Sequence, residues 1–233
     1  MTRSGSRAVS DIVSFTLVFS TIIFMIGVVT VTGLGTLGDV QEGTESNIAE
    51  VTMLNYATTL SDHREGIDRR STTIKLQGHS LELTNSWVNW SVPGETRTNM
   101  STGALVRTTD TDTELVYQSG ALFRAEDGGG GVVVRQSPFR CGERTAHLAV
   151  TNVTGEFSIS SDRRVTLESV RQDQSITTRN ATSVNVSLDG AEQSDQWNDA
   201  LAGDWEGSGD EYTCESIKHV VVHETTVRID IVQ

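Results

Sequence analysis

From Ile12 to Gly38 the chain carries no charged residue, and from Ile12 to Leu34 it is dominated by Ile, Val, Phe, Leu and Met. At 1.5 Å per residue a helix over that stretch spans about 40 Å, against roughly 30 Å for a bilayer hydrocarbon core. A helix of a soluble core would show a polar stripe, and this segment shows none. The expectation is a transmembrane helix. Arg3 and Arg7 precede it, while Asp39, Glu42, Glu45 and Glu50 follow. The excess of Arg before the span predicts a cytoplasmic N-terminus and an extracellular C-terminal domain, a single-pass protein of the cell membrane. A cleaved secretory signal fits less well: its apolar run is shorter, and Thr36-Leu37-Gly38 is a poor cleavage site.

The net charge of −13 is unevenly spread. Arg3, Arg7 and Asp11 give the first 38 residues +1, which leaves −14 on residues 39–233. So acidic a domain repels nucleic-acid phosphates, and no nucleic-acid partner is expected. Only Lys75 and Lys218 are lysines among 18 basic residues. Few lysines with many Asp, Glu, Thr and Val resemble the composition of proteins from salt-loving archaea. The two cysteines, Cys141 and Cys214, both follow the apolar run. Outside the cytoplasm they are expected to form a disulfide, the alternative being two buried thiols.

Beyond the apolar run, Val40, Ile48, Val51, Leu54, Ala57 and Leu60 recur at threes and fours, which predicts a helical stalk over 39–66 with Gly66 as its stop. From Thr72 onward the period becomes two: Ile74/Leu76, Leu81/Leu83, Val132/Val134, Leu148/Val150, Phe157/Ile159, Val165/Leu167, Val184/Val186/Leu188 and Val227/Ile229/Ile231 alternate with polar residues. Short strands separated by Gly, Asn and Asp predict an antiparallel β-sandwich-like domain over 67–233. The expected class is therefore α+β, with a long N-terminal transmembrane and stalk helix followed by the mainly β domain. Ala191–Leu201 reads as a short helix and Gly203–Tyr212 as a loop. The Asp127–Gly131 run of glycines lacks the Gly-Lys-Ser/Thr ending of a phosphate loop and reads as a hairpin turn.

Five Asn-x-Ser/Thr sequons mark candidate glycosylation sites at Asn89, Asn99, Asn152, Asn180 and Asn185. Catalytic signals are absent from the pattern. His219 and His223, four apart in a β-branched run, lie about 13 Å apart on a strand, too far for one zinc. His63, His79 and His147 have no nucleophile motif beside them. The clusters Asp110/Asp112/Glu114 and Asp204/Glu206/Asp210/Glu211 lack the full EF-hand spacing and read as solvated faces. Trp87 and Trp90 suit either a sugar-binding surface or core packing. No enzymatic activity, metal or cofactor is expected.

The stretch Ser6-Arg7-Ala8-Val9-Ser10-Asp11-Ile12-Val13 sets a basic and a small residue directly before the apolar run. It resembles the class III signal of type IV pilins and archaellins, above all the Arg-Ala-Val-Ser start of haloarchaeal pilins. The resemblance implies residues 1–8 as a signal removed by a prepilin peptidase between Ala8 and Val9, with Arg7 needed for processing. It also implies residues 9–38 as a helix that anchors the subunit and then packs with like subunits in a filament core. Gly27, Gly33 and Gly35 would permit close helix approach there. Asp11 stands where many haloarchaeal pilins have Pro, and Val13 where bacterial pilins carry Glu. The segment Tyr117-Gln118-Ser119-Gly120-Ala121-Leu122-Phe123-Arg124 also resembles a set of haloarchaeal pilin-like surface proteins. N-glycosylation is common in such archaeal filaments. The expected function is thus a pilin-like structural or adhesive subunit. The alternatives are an anchored domain that never polymerises and binds surface glycans, or an anchored hydrolase.

Overall fold

Helix α1 runs Gly5–Asp62 and is followed by a 3-10 turn, His63–Glu65, in a computed structural model that describes residues 5–93, 102–109, 113–126 and 130–232. Side chains of residues 5–14 and 31–44 lie outside that description. The chain divides into two units, residues 1–47 and 48–233. At Gly66 the backbone turns left-handed, with φ +110°, a conformation glycine adopts without Cβ strain.

Fifteen strands follow among the described residues. They are β1 (Arg69–Lys75), β2 (Ser80–Thr84), β3 (Asn89–Ser91), β4 (Ala104–Thr108) and β5 (Glu114–Gln118). Next come β6 (Ala121–Glu126), β7 (Gly130–Arg135), β8 (Arg140–Cys141), β9 (Thr145–Thr154) and β10 (Ser158–Ser160). The long β11 (Arg164–Asn180) and β12 (Ser183–Ser187) lead to helix α2 (Ser194–Leu201). The chain closes with β13 (Glu206–Ser208), β14 (Glu211–Glu215) and β15 (His219–Val232). The strands form three sheets, ordered β1-β11-β15-β9-β8, β10-β2-β4-β5-β6-β7 and β13-β14-β12-β3.

The fold differs from expectation in several respects. The fold is mainly β rather than α+β. Among the described residues no helix is long and apolar enough to cross a membrane. The transmembrane segment expected over 9–38 is therefore not supported, and the single-pass membrane placement falls with it. Nor is the β region a purely antiparallel two-sheet sandwich. It has three sheets, and β15 runs parallel to β9, His219 opposite Thr145 through Arg228 opposite Thr154. Alternating burial has the same period in either pairing sense, so only the long connection between these strands distinguishes them. Lastly, the segment read as a loop over Gly203–Tyr212 contains β13 and the start of β14, paired as a hairpin.

Two large apolar cores, with a small third of Ala104, Val106 and Val116, lie among the described residues of 48–233. One gathers Trp90, Phe123, Phe139, Trp197, Tyr212, Cys214, Val220 and Val222. The other sets the end of α1, through Ala49, Met53, Tyr56, Ala57 and Leu60, against Leu76, Leu105, Tyr117, Leu167, Val227 and Ile229. The fours-and-threes spacing of those helix residues is one amphipathic stripe. It is not the stripe the sequence suggests, because Ile48 and Val51 are exposed. Residues 127–129 lie outside the described structure, and the strands either side, β6 and β7, pair antiparallel as a hairpin.

Candidate functional site

The most unusual surface is the apolar part of α1. Ile22, Ile23, Phe24, Met25 and Ile26 are consecutive and each is more than half exposed. At 100° per residue, five consecutive positions point in every direction around a helix. Phe15, Leu17, Phe19, Val28 and Val29 extend the same surface. A helix apolar all round is satisfied only by cover on all sides. At Gly27 an added Cβ would meet nothing within 4 Å. Of the other residues expected in assembly, Gly33 and Gly35 lie outside the described surroundings. The processing residues Arg7, Ala8 and Val9 fall within α1, with their side chains likewise outside.

The C-terminal end of α1 is held by polar contacts as well as by its stripe. Arg124 donates to Glu50 at 3.0 Å, and Arg135 Nη2 donates to Ser61 Oγ at 2.9 Å. The buried His63 has Nδ1 2.7 Å from the Ile67 carbonyl and Nε2 2.9 Å from Ser169 Oγ. A carbonyl only accepts, so Nδ1 carries the proton and Nε2 accepts from the serine. Gln174 Nε2 donates to the Arg64 carbonyl at 2.8 Å and lies 2.6 Å from His223 Nε2, while its oxygen accepts from Arg171 at 2.6 Å. Arg171 donates further to the His63 carbonyl at 3.2 Å and pairs with Asp68. Nothing in the pattern of charges announces this network, because strand pairing alone brings residues 63–68, 171–174 and 223 together.

The Tyr117–Arg124 segment is a β5–β6 hairpin with Ser119 and Gly120 at its tip, both at positive φ. Two central residues of that kind fit the twist of a tight antiparallel turn. Tyr117, Leu122 and Phe123 are buried, and Arg124 reaches Glu50. Burial raises the Tyr117 pKa, as it does that of Tyr56. Gln118 accepts from Trp197 Nε1 at 2.9 Å and donates to Thr102 Oγ1 at 3.0 Å, tying α2 to the hairpin. The segment therefore has a structural account: turn, core and tie.

Cys141 and Cys214 form a disulfide, with Cα atoms 5.6 Å apart. The histidines stay separate. His219 bonds to Asn180 at 2.9 Å, His223 faces Gln174, and Arg107 Nη2 approaches His79 at 3.4 Å. Among the described residues no group of three or more His, Cys, Asp or Glu is placed to hold a metal. Asp110 and Asp112 lie outside the described residues, and Glu114 accepts from Gln193 at 3.0 Å. Asp204, Glu206, Asp210 and Glu211 are exposed around β13 and β14. Three of the four tryptophans are buried, and Trp87 is 42% exposed.

The sequons differ sharply in setting. Asn89 is buried in β3, opposite Ser187. Asn152, in β9, has a buried side-chain oxygen. Asn185, in β12, accepts from Thr213 at 3.0 Å. Asn180 is exposed at the end of β11, and Asn99 lies outside the described residues. Residues 7–233 match the model of a protein family described as a family of unknown function, DUF7289. No curated protein and no solved structure matches the chain.

Proposed function

Because the chain belongs to that family of unknown function, its own residues must carry the reading, and we propose a pilin-like structural or adhesive subunit that assembles with like subunits through its N-terminal helix. The observation that carries this is the exposure of apolar side chains on every side of α1 between residues 15 and 30. One neighbour covers one face, so complete cover requires several helices, and the same helix from other copies supplies them with matching length and chemistry. The separate cores and disulfide of residues 48–233 support a unit whose stability does not depend on that helix being covered within one chain. The Arg7-Ala8-Val9 junction supports removal of residues 1–8 by a prepilin peptidase before assembly.

The test begins with the mature N-terminus in producing cells, expected at Val9. Arg7→Ala should leave the precursor uncut. Gly27→Leu is the assembly probe, since an added side chain there meets nothing in the single chain. It should abolish recovery of high-mass assemblies while leaving the disulfide and unfolding midpoint unchanged. Wild-type chain found only as a monomer would overturn the reading. A binding domain that never polymerises is favoured by one observation, the exposed ring of Trp87. It predicts a monomer whose glycan affinity falls on Trp87→Ala.

A further inference from the structure

We propose that Asn180 is the acceptor of an N-linked glycan and that Asn89, Asn152 and Asn185 stay bare. Transfer requires the asparagine amide and the hydroxyl two residues on to be reachable together. Asn180 and Thr182 are both exposed, at the turn where β11 passes into β12. Asn180 Oδ1 accepts from His219 Nδ1 at 2.9 Å, which directs Nδ2, the atom that must react, away from that bond. Beside it an open cavity of about 450 Å³ is lined by Val92, Pro93, Ala181, Ile217 and Lys218, leaving room for the first sugars.

The other described sequons fail on the same criteria. Asn89 is buried and its backbone faces Ser187 in the sheet. For Asn185 the hydroxyl two residues on belongs to Ser187, which is buried and not reachable together with the half-buried amide. In the third, Asn152 and Thr154 are both half-buried within β9, with Thr154 Oγ1 3.5 Å from the Val227 carbonyl of the neighbouring β15. A sugar on Asn89 would have to displace strand contacts, and at Asn152 and Asn185 the amide and the hydroxyl are not exposed together as they are at Asn180 and Thr182. Asn99 lies outside the described residues.

The chemistry needs a glycan activated as a lipid-linked glycosyl phosphate. Nδ2 of Asn180 attacks the anomeric carbon and the nitrogen–carbon bond forms. The bond from that carbon to the phosphate oxygen breaks, and one amide proton leaves with the lipid phosphate. The disulfide supports exposure to a non-reducing compartment, where such transfer to sequons takes place. The inference does not depend on assembly, because it concerns residues of the 48–233 unit alone.

Glycopeptide mass spectrometry of the full chain from its producing cells is the test. Fragmentation that keeps the sugar on its peptide should place it on Asn180, and Asn89, Asn152 and Asn185 should be bare. Asn180→Gln should remove the modification. So should Thr182→Val, which leaves the asparagine and its bond to His219 in place, whereas Thr182→Ser should retain it. A bare Asn180 in the wild-type chain would overturn the proposal, and so would sugar on any of the three enclosed asparagines.

Discussion

His63 and His223 commit ring nitrogens to acceptors and donors within the fold, and burial is the main reason each has a pKa below the usual histidine value. Nearby Arg171 and Arg70 push His63 the same way, while the Ile67 bond and Asp62 oppose them. Arg64 adds to the effect at His223. Both rings are therefore neutral in the folded protein at neutral pH. An unfolded histidine titrates near 6.5. Below that value the unfolded chain binds more protons than the folded one, so the contribution is complete above about pH 6.5 and lost as pH falls toward the depressed folded values. Protonating His63 would also turn the nitrogen facing Ser169 from acceptor to donor. The competing effect has the opposite sign, since acidification relieves self-repulsion in a chain of net charge −13. In about 1 M salt the screening length falls to roughly 3 Å and that repulsion is suppressed. Urea midpoints measured there should fall between pH 7.5 and 5.5, and His223→Gln should flatten the slope. A midpoint that stays level would mean the two rings are already solvated.

The β5–β6 hairpin fixes where the end of α1 docks, and its turn depends on Gly120. At φ +93° an added Cβ would lie 2.7 Å from Pro138 Cγ. Gly120→Ala should therefore destabilise the fold by roughly 2 kcal/mol or more, from strain and contact together. Leu60→Ala, on the opposing helix stripe, empties a fully buried site and should cost about 2–5 kcal/mol. Both are read as shifts in a denaturant midpoint at constant slope. Such elements were unevenly legible in the sequence. Strand positions such as Ile74, Leu81, Val165 and Leu167 stand out because alternation reports one buried face, and all four are buried. The docked stripe of α1 was obscured because Ile48 and Val51, though exposed, are as apolar as the residues that pack. The β9–β15 pairing was hidden because alternation is blind to strand direction. Asn180 and Asn185 read alike as sequons, and only neighbouring strands make one reachable and the other enclosed. Length and apolarity of residues 12–38 suggested a membrane span that the described helix does not support, whereas exposure of the side chains of residues 15–30 requires a view in three dimensions.

Across the unit of residues 48–233, the bond between Cys141 and Cys214 ties β8, at the edge of one sheet, to β14 in another. It closes a loop with a sequence separation of 73 residues. On the chain-entropy account a loop of that length removes about 4 kcal/mol of unfolded-state freedom, and measured effects commonly fall at about 2–4 kcal/mol. Electrostatics supplies the opposing term over the same region, since residues 39–233 carry −14. The two respond differently to salt. Screening acts on the charges of the folded chain, whereas the cross-link acts on the freedom of the unfolded one. Stability should therefore rise between about 0.1 and 1 M salt for oxidised and reduced protein alike. The gap between them should stay constant at about 2–4 kcal/mol. Urea unfolding of the wild type, with the Cys141→Ala/Cys214→Ala variant as the reduced reference, measures both quantities in one series. A gap that closes as salt rises would mean that the disulfide mainly holds like charges together in the folded state. A constant gap with no salt dependence in either form would mean that the acidic surface is too dispersed to oppose folding.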